Sequence, residues 1–198
     1  MFPRQPTPKD TELDALIAAK RPVVVVAHPD DETLWGAGII IRYPKDWAVI
    51  CCTVPFHDPI RAEKFHDACK VLGAHGIVRQ HPERVDHVPI PDLDEYDLIV
   101  THNSVGEYGH KHHTELHHAI KGRWPDKTIC FGYGAKPDFT IALSDAEKAK
   151  KLEALRKYDH RSRTDKGKMK WQALLDVFSE RFDLWREPYT FGTVDARS

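Results

Sequence analysis

One imidazole and three carboxylates stand within five residues in His28-Pro29-Asp30-Asp31-Glu32. The segment follows the apolar run Val23 to Val26, so it forms a turn at the end of a buried strand. Such a cluster is costly to desolvate unless a cation or a hydrogen-bond network compensates it. In an open α/β sheet the carboxyl ends of the strands are where ligands bind. The turn therefore points to a metal site and to an enzyme. A second dense cluster runs from Thr101-His102-Asn103-Ser104 through Gly106-Glu107-Tyr108-Gly109-His110 to Lys111-His112-His113, again after an apolar strand. A mononuclear catalytic zinc takes three protein nitrogen or oxygen ligands and keeps one position open. His28, Asp31 and one histidine of the second loop supply that set, and Gly106 and Gly109 let the loop bend around it. His113 and His117 are four apart, a spacing that binds zinc from one helical face, but the chain has no His-Glu-x-x-His signature. His117 and His118 are expected on a partly exposed helix.

The elements that position these loops read as alternating strands and helices. Residues 1–10 are a proline-rich arm, and Thr11 to Lys20 has the pattern of a short helix; residues 21–198 form the domain proper. Pro22 to Ala27 is a β-branched run suited to a strand buried on both faces. Glu32 to Tyr43 reads as a helix, Trp47 to Val54 as a strand, and residues 59–72 as a helix stopped by Gly73, with Ile60, Phe65, Ala68, Val71 and Leu72 as its apolar stripe. Ile77-Val78 and Val85 to Val88 are weaker strand candidates. Asp97 to Thr101 is a further strand, His113 to Lys121 a helix, and Thr128 to Gly132 a strand. Ser144 and Glu147 form a capping-box pattern that opens a helix to about Tyr158. Trp171 to Phe182 reads as a last amphipathic helix. The alternation predicts one Rossmann-like α/β domain with a mostly parallel sheet flanked by helices.

Composition excludes several classes. Lysine and arginine number 29 against 30 acidic residues, so no global field favours nucleic acid or an anionic membrane. The basic stretch at 161–170 reads as a solvated linker. No apolar run approaches the roughly 18 residues of a membrane span. Cys51, Cys52, Cys69 and Cys130 contain no Cys-x-x-Cys pair, and Cys51 and Cys52, adjacent within an apolar strand-like run, are expected as buried free thiols. With no secretory signal, a reducing cytoplasm is the expected compartment. Six of the 13 histidines fall between His102 and His118, which favours metal or proton chemistry.

His-Pro-Asp-Asp-Glu after a hydrophobic strand, with Thr-His-Asn-Ser and Gly-Glu-Tyr-Gly-His followed by His113, resembles the PIG-L/LmbE family of zinc-dependent de-N-acetylases. The resemblance covers about Val23 to Tyr158. It implies a Rossmann-like fold, one Zn2+ per chain or another divalent metal in its place, and removal of an acetyl group from a small N-acetylglucosamine-type amino sugar or conjugate. It further implies His28, Asp31 and His113 as zinc ligands, with Asp30 as general base. His110 becomes the residue that protonates or stabilises the tetrahedral intermediate, and Tyr108 a mobile tyrosine that reaches the oxyanion. Arg61 heads a pattern ending at Leu72-Gly73 whose match in the family lies near the substrate. Many members carry Pro-Asp between the two histidines of the second motif, where the aspartate orients the catalytic imidazole; this chain has Lys111-His112. It also has Lys64 where a glutamate is usual.

Individual residues admit plainer roles. His102 is either a ligand or a support at the strand end, and Tyr108 either a catalytic group or loop packing. Arg61 is either a substrate contact or a surface residue. Trp35 is expected in the core rather than as a sugar platform, and Glu32 as a helix N-terminal charge or a partner of the site. Tyr158 is expected to be structural. Two other functions compete: a Rossmann-like module that binds a sugar or nucleotide without catalysis, and a metal hydrolase of another bond. The first strand-turn lacks Gly-x-Gly-x-x-Gly, and adjacent aspartates repel a pyrophosphate. A single zinc with one base suits an amide better than a phosphoester.

Overall fold

A computed structural model of the chain describes residues 16, 18–54, 60–79, 81–82, 86–158 and 175–191. The expected arm at 1–10, residues 11–15 and 17 of the helix expected over 11–20, the basic stretch at 161–170 and the start of the last helix lie outside the described residues. Strands β1 (Pro22–Val26), β2 (Ala48–Cys51), β3 (His75–Val78), β4 (Leu98–Thr101), β5 (Thr128–Phe131), β6 (Phe139–Ala142) and β7 (Arg186–Thr190) build one sheet in the order β3-β2-β1-β4-β5-β7-β6. The first five are parallel, and β7 runs antiparallel to both β5 and β6. The helices are α1 (Asp31–Arg42), α2 (Ile60–Leu72), the single turn α3 (Gly106–Gly109), α4 (Lys111–Arg123) and α5 (Asp145–Lys157); residues 175–181 are also helical. The result is a mixed α/β fold with a mostly parallel sheet flanked by helices.

The β1 register explains why its sequence is apolar throughout. Val24 and Val26 enter a core with Trp35, Ile39, Phe65 and Leu155, while Val23 and Val25 enter a second core with Leu116, Ile120 and Trp124. A strand covered on both faces needs an unbroken hydrophobic run. β1 pairs with β2 on one side and β4 on the other, so the chain reverses its winding direction at β1. The turn after β1 and the loop after β4 therefore meet at the crevice where such folds bind ligands.

Several local expectations are corrected. The strand expected to reach Val54 ends at Cys51, and residues 86–88 are not a strand, with Val85 outside the described residues. Ile60, placed in the apolar stripe of α2, is 55% exposed, whereas Phe65, Ala68 and Leu72 are buried. Strands β6 and β7 carry no strong signal: β7 reads Arg-Glu-Pro-Tyr-Thr, without a β-branched run. The four cysteines are buried and free. No helix among the described residues is long and apolar enough to cross a membrane.

A buried ion pair ties α1, α5 and β7 together. Lys151 Nζ donates to the Leu34 and Leu184 carbonyls at 2.9 and 2.7 Å and to Glu187 Oε1 at 2.6 Å. Glu187 Oε2 accepts from the Gly38 N–H at 2.7 Å and the Tyr189 hydroxyl at 2.6 Å. Both charged residues are inaccessible to solvent. A Cβ at Gly38 would lie 2.6 Å from Glu187 Oε2, so a glycine is required where the helix backbone meets the carboxylate. Removing one partner of a buried pair strands the other charge. Lys151→Met is expected to lower unfolding free energy by about 3–5 kcal/mol in chemical denaturation; a loss under about 1 kcal/mol contradicts this account.

Candidate active site

The turn after β1 sorts its carboxylates by their partners. Asp30 precedes α1 with φ 117°, a left-handed conformation that non-glycine residues rarely adopt. It is held there by its N–H, which donates to Glu32 Oε2 at 3.0 Å, and by its carbonyl, which accepts from the Thr33 and Leu34 N–H groups. Glu32 is fully buried and also accepts from the hydroxyls of Thr33 and Tyr158, the latter at 2.7 Å. Asp31 turns the other way: Oδ2 accepts from the His28 backbone N–H at 2.9 Å and Oδ1 from the Trp35 indole at 3.1 Å. Trp35 is thus a core residue that also aims a carboxylate.

The loop after β4 is built around Asn103 and Glu107. Asn103 Nδ2 donates to the Phe131 and Tyr133 carbonyls at 2.8 and 2.7 Å, and its Oδ1 accepts from Val105 N–H at 2.9 Å. Glu107 has φ 57° and is buried. Its Oε1 accepts from Asn103 N–H at 3.1 Å, and its Oε2 lies 2.9 Å from His102 Nδ1 and 2.6 Å from His113 Nδ1. Burial alone would raise the Glu107 pKa, but the His102 and His113 contacts bring it down to about 2.

Glu107 leaves His113 Nε2 facing the first turn. Its distances are 3.3 Å to His28 Nδ1 and 3.3 Å to Asp31 Oδ2, and His28 Nδ1 is 3.2 Å from the same Asp31 oxygen. Four ligands at about 2.0–2.1 Å from a zinc stand about 3.3–3.4 Å apart in a tetrahedron, so these three atoms fit one face of such a site. Two imidazole nitrogens and a carboxylate oxygen are also a known donor set for catalytic zinc. The charges favour a cation at this spot. Despite opposing burial, Asp31 and Glu107 raise His113 to about 10, and Asp31 lies well below 3.8 because His113 and its hydrogen bonds outweigh desolvation. His102, Glu107 and His113 also cluster, but their facing atoms are committed. His102 Nε2 accepts from Ala27 N–H at 3.1 Å, and both Nδ1 atoms point at Glu107. His102 is therefore a support of the strand end, its ring stacked on His113 at 3.8 Å.

Beside the three donors lies a cavity of about 110 Å³ lined by Asp30, Leu34, Arg61, Tyr108, His110 and Phe178 together with His28 and Asp31. Six of the seven residues singled out from the sequence thus line one space, and the seventh, His113, adjoins it through His28 and Asp31. Arg61 Nη2 pairs with Asp30 Oδ2. Burial pushes the Asp30 carboxyl up to about 6, against the pull of Arg61. Burial also raises the Tyr108 phenol well above 10, so it remains an O–H donor. Burial and the neighbouring His113 and His28 lower His110 to about 4, and its buried Nδ1 has no hydrogen-bond partner among the described residues.

Glu107 stands inside the Gly-Glu-Tyr-Gly-His motif but was given no role from the sequence, because its role depends on a turn that brings it under two imidazoles. Phe178 is separated from the turn by more than 140 residues and meets Trp35 at 5.3 Å. His117 corrects the expectation of partial exposure. It is 1% exposed, with Nδ1 donating to the His102 carbonyl at 3.0 Å, while His118 is exposed.

No family model matches the chain. A curated relative is the 1D-myo-inositol 2-acetamido-2-deoxy-α-D-glucopyranoside deacetylase of Actinosynnema mirum, 28% identical over 52% of this chain and 54% of that protein. The chain thus spans about half the length of the curated relative it matches. Among solved structures, the N,N'-diacetylchitobiose deacetylase of Pyrococcus horikoshii superposes with a TM-score of 0.63 at 16% identity, covering 96% of this chain and 94% of that one. The 4-carboxy-2-hydroxymuconate hydratase of Pseudomonas putida superposes with a TM-score of 0.57 at 14% identity, covering 86% and 95%. The resemblance to PIG-L/LmbE-type deacetylases is borne out by the deacetylase relatives, whereas the fold by itself also carries a hydratase.

The His28–Asp31–His113 and His102–Glu107–His113 groups, two of three such groups among the described residues, make different demands on metal binding. Asp31→Ala is expected to abolish tight divalent-metal uptake measured by mass spectrometry of the dialysed protein. His102→Gln retains it at reduced affinity. Loss of uptake in His102→Gln with uptake retained in Asp31→Ala would place the metal at the Glu107 group instead.

Proposed function

We propose that the chain is a metal-dependent N-deacetylase that hydrolyses the acetamide of an N-acetylglucosamine-type amino sugar or conjugate, with zinc as the expected metal, one per chain. The observation that carries this reading is the triangle of His28, Asp31 and His113 donors beside a cavity that also contains Asp30. The two deacetylase relatives support the substrate class, since both are named for acetylated amino sugars. A cavity of about 110 Å³ is small against the roughly 300–1,000 Å³ of whole-ligand pockets, and suits an acetamido group with the sugar ring outside it.

A metal held by His28, Asp31 and His113 supplies Lewis acidity, which makes water nucleophilic near neutral pH and polarises a carbonyl. Asp30 faces the same space and is not a member of the donor triangle, so it takes the proton of the attacking water. Its pKa of about 6 suits a base working near neutrality, and Arg61 holds its carboxylate in place. The water oxygen bonds to the acetamide carbon while charge moves onto the carbonyl oxygen. Tyr108 O–H and a neutral His110 N–H then stabilise that oxyanion as donors. A neighbouring cation acts in the same direction as burial on His110, keeping it uncharged. The proton on Asp30 passes to the nitrogen as the C–N bond breaks, releasing acetate and free amine. Arg61, at the cavity wall, is also placed to meet a substrate hydroxyl.

Acetate release from N-acetylglucosamine derivatives, measured together with metal content, tests the reading. About one zinc per chain and metal-stimulated acetate release are expected; a zinc-free chain with no metal-stimulated hydrolysis would favour a binding module. Asp30→Ala is expected to lower kcat by about 10²–10⁴-fold with metal retained. Tyr108→Phe is expected to lower kcat by about 10²-fold with little change in KM. Full turnover in either variant removes that residue from its role.

A further inference from the structure

The two imidazoles of the donor triangle are backed unequally. His113 has the buried Glu107 carboxylate behind its Nδ1 at 2.6 Å. His28 has an imidazole instead: its Nε2 lies 3.2 Å from His112 Nδ1, with the rings 5.4 Å apart and inclined by 30°. His112 is the second residue of α4 and half-buried, so the helix start fixes where its ring stands. A His28 that offers Nδ1 to a metal carries its proton on Nε2, and that N–H needs an acceptor. The only tautomer of His112 that accepts at Nδ1 carries its own proton on Nε2.

We propose that His112 is a positioning residue for the metal centre, accepting the His28 Nε2–H and fixing the tautomer and ring plane that turn Nδ1 toward Asp31 and His113. This rests on the metal-centre reading above. The choice of imidazole over carboxylate has an electrostatic consequence. Asp31 and Glu107 already place two negative charges at the site, matching a divalent cation, while Asp30 is paired with Arg61. An aspartate at position 112 would add a third unmatched charge and weaken the metal as a Lewis acid. His112 supplies the orienting hydrogen bond while adding no charge.

The test is zinc affinity of the full chain, measured by chelator competition, in two variants whose far-UV circular dichroism matches the wild type. His112→Ala is expected to weaken zinc binding by about 10–100-fold. His112→Asn, whose Oδ1 takes the place of Nδ1, keeps affinity within a few-fold of wild type. In the zinc-loaded protein the His28 Nε2–H gives a slowly exchanging NMR resonance that survives in His112→Asn and is lost in His112→Ala. Unchanged affinity in His112→Ala, or equal loss in both variants, overturns the proposal while leaving the deacetylase reading intact. A wild-type chain that takes up no zinc overturns both.

Discussion

Glu107 accepts hydrogen bonds from two imidazoles and a backbone N–H while fully enclosed by protein, and the geometry of the candidate site follows from that arrangement. A buried carboxylate is stable only when its lone pairs are used, and here the donors are His102, His113 and the start of the loop itself. Satisfying Glu107 protonates both Nδ1 atoms. That leaves His113 Nε2 free to face the first turn and His102 Nε2 free to accept from Ala27. One carboxylate therefore chooses the tautomer of His113, fixes the end of β1 and separates a supporting histidine from one that faces the turn after β1.

The strain of the site is concentrated in the same places. Asp30 and Glu107 are the non-glycine residues with positive φ among the described residues, one on each loop. Such conformations cost free energy and persist where surrounding contacts over-determine them. For Asp30 those contacts run through Glu32 to Tyr158 at the end of α5, and for Glu107 through Asn103 to the carbonyls after β5. Elements far from the turn in sequence thus hold its backbone. The consequence is that three consecutive carboxylates diverge: Asp30 into the cavity, Asp31 toward the imidazoles, and Glu32 into the core.

Similarity to other proteins of this fold bears on function unevenly. A deacetylase and a hydratase superpose on the chain with comparable scores, so the sheet order alone does not select a reaction. Selection rests on side chains at the crevice between β1 and β4, and there the chain combines a metal-suited donor set with a separate carboxylate. Its departure at Lys111-His112 is accommodated within that frame, because the His112 ring turns toward His28.

Much of this was legible in the sequence, for reasons of local chemistry. The valine run of β1 declares a strand buried on both faces, and Ser144 with Glu147 marks the start of α5 through a capping box that the structure contains. His28, Asp30, Asp31 and His113 stand out because charged and imidazole groups at strand ends are costly unless used. Strands β6 and β7 were not legible: Glu187 and Pro188 oppose strand propensity, and the segment pairs only because β5 offers an edge and Lys151 neutralises Glu187. Nor were Glu107, the Trp35 contact to Asp31, or the burial of His117, since each depends on a partner brought close by the sheet. Residue types and spacing determined which groups could do chemistry. Tertiary structure decided their protonation, orientation and division of labour, because those depend on desolvation and on hydrogen-bond partners supplied from other elements.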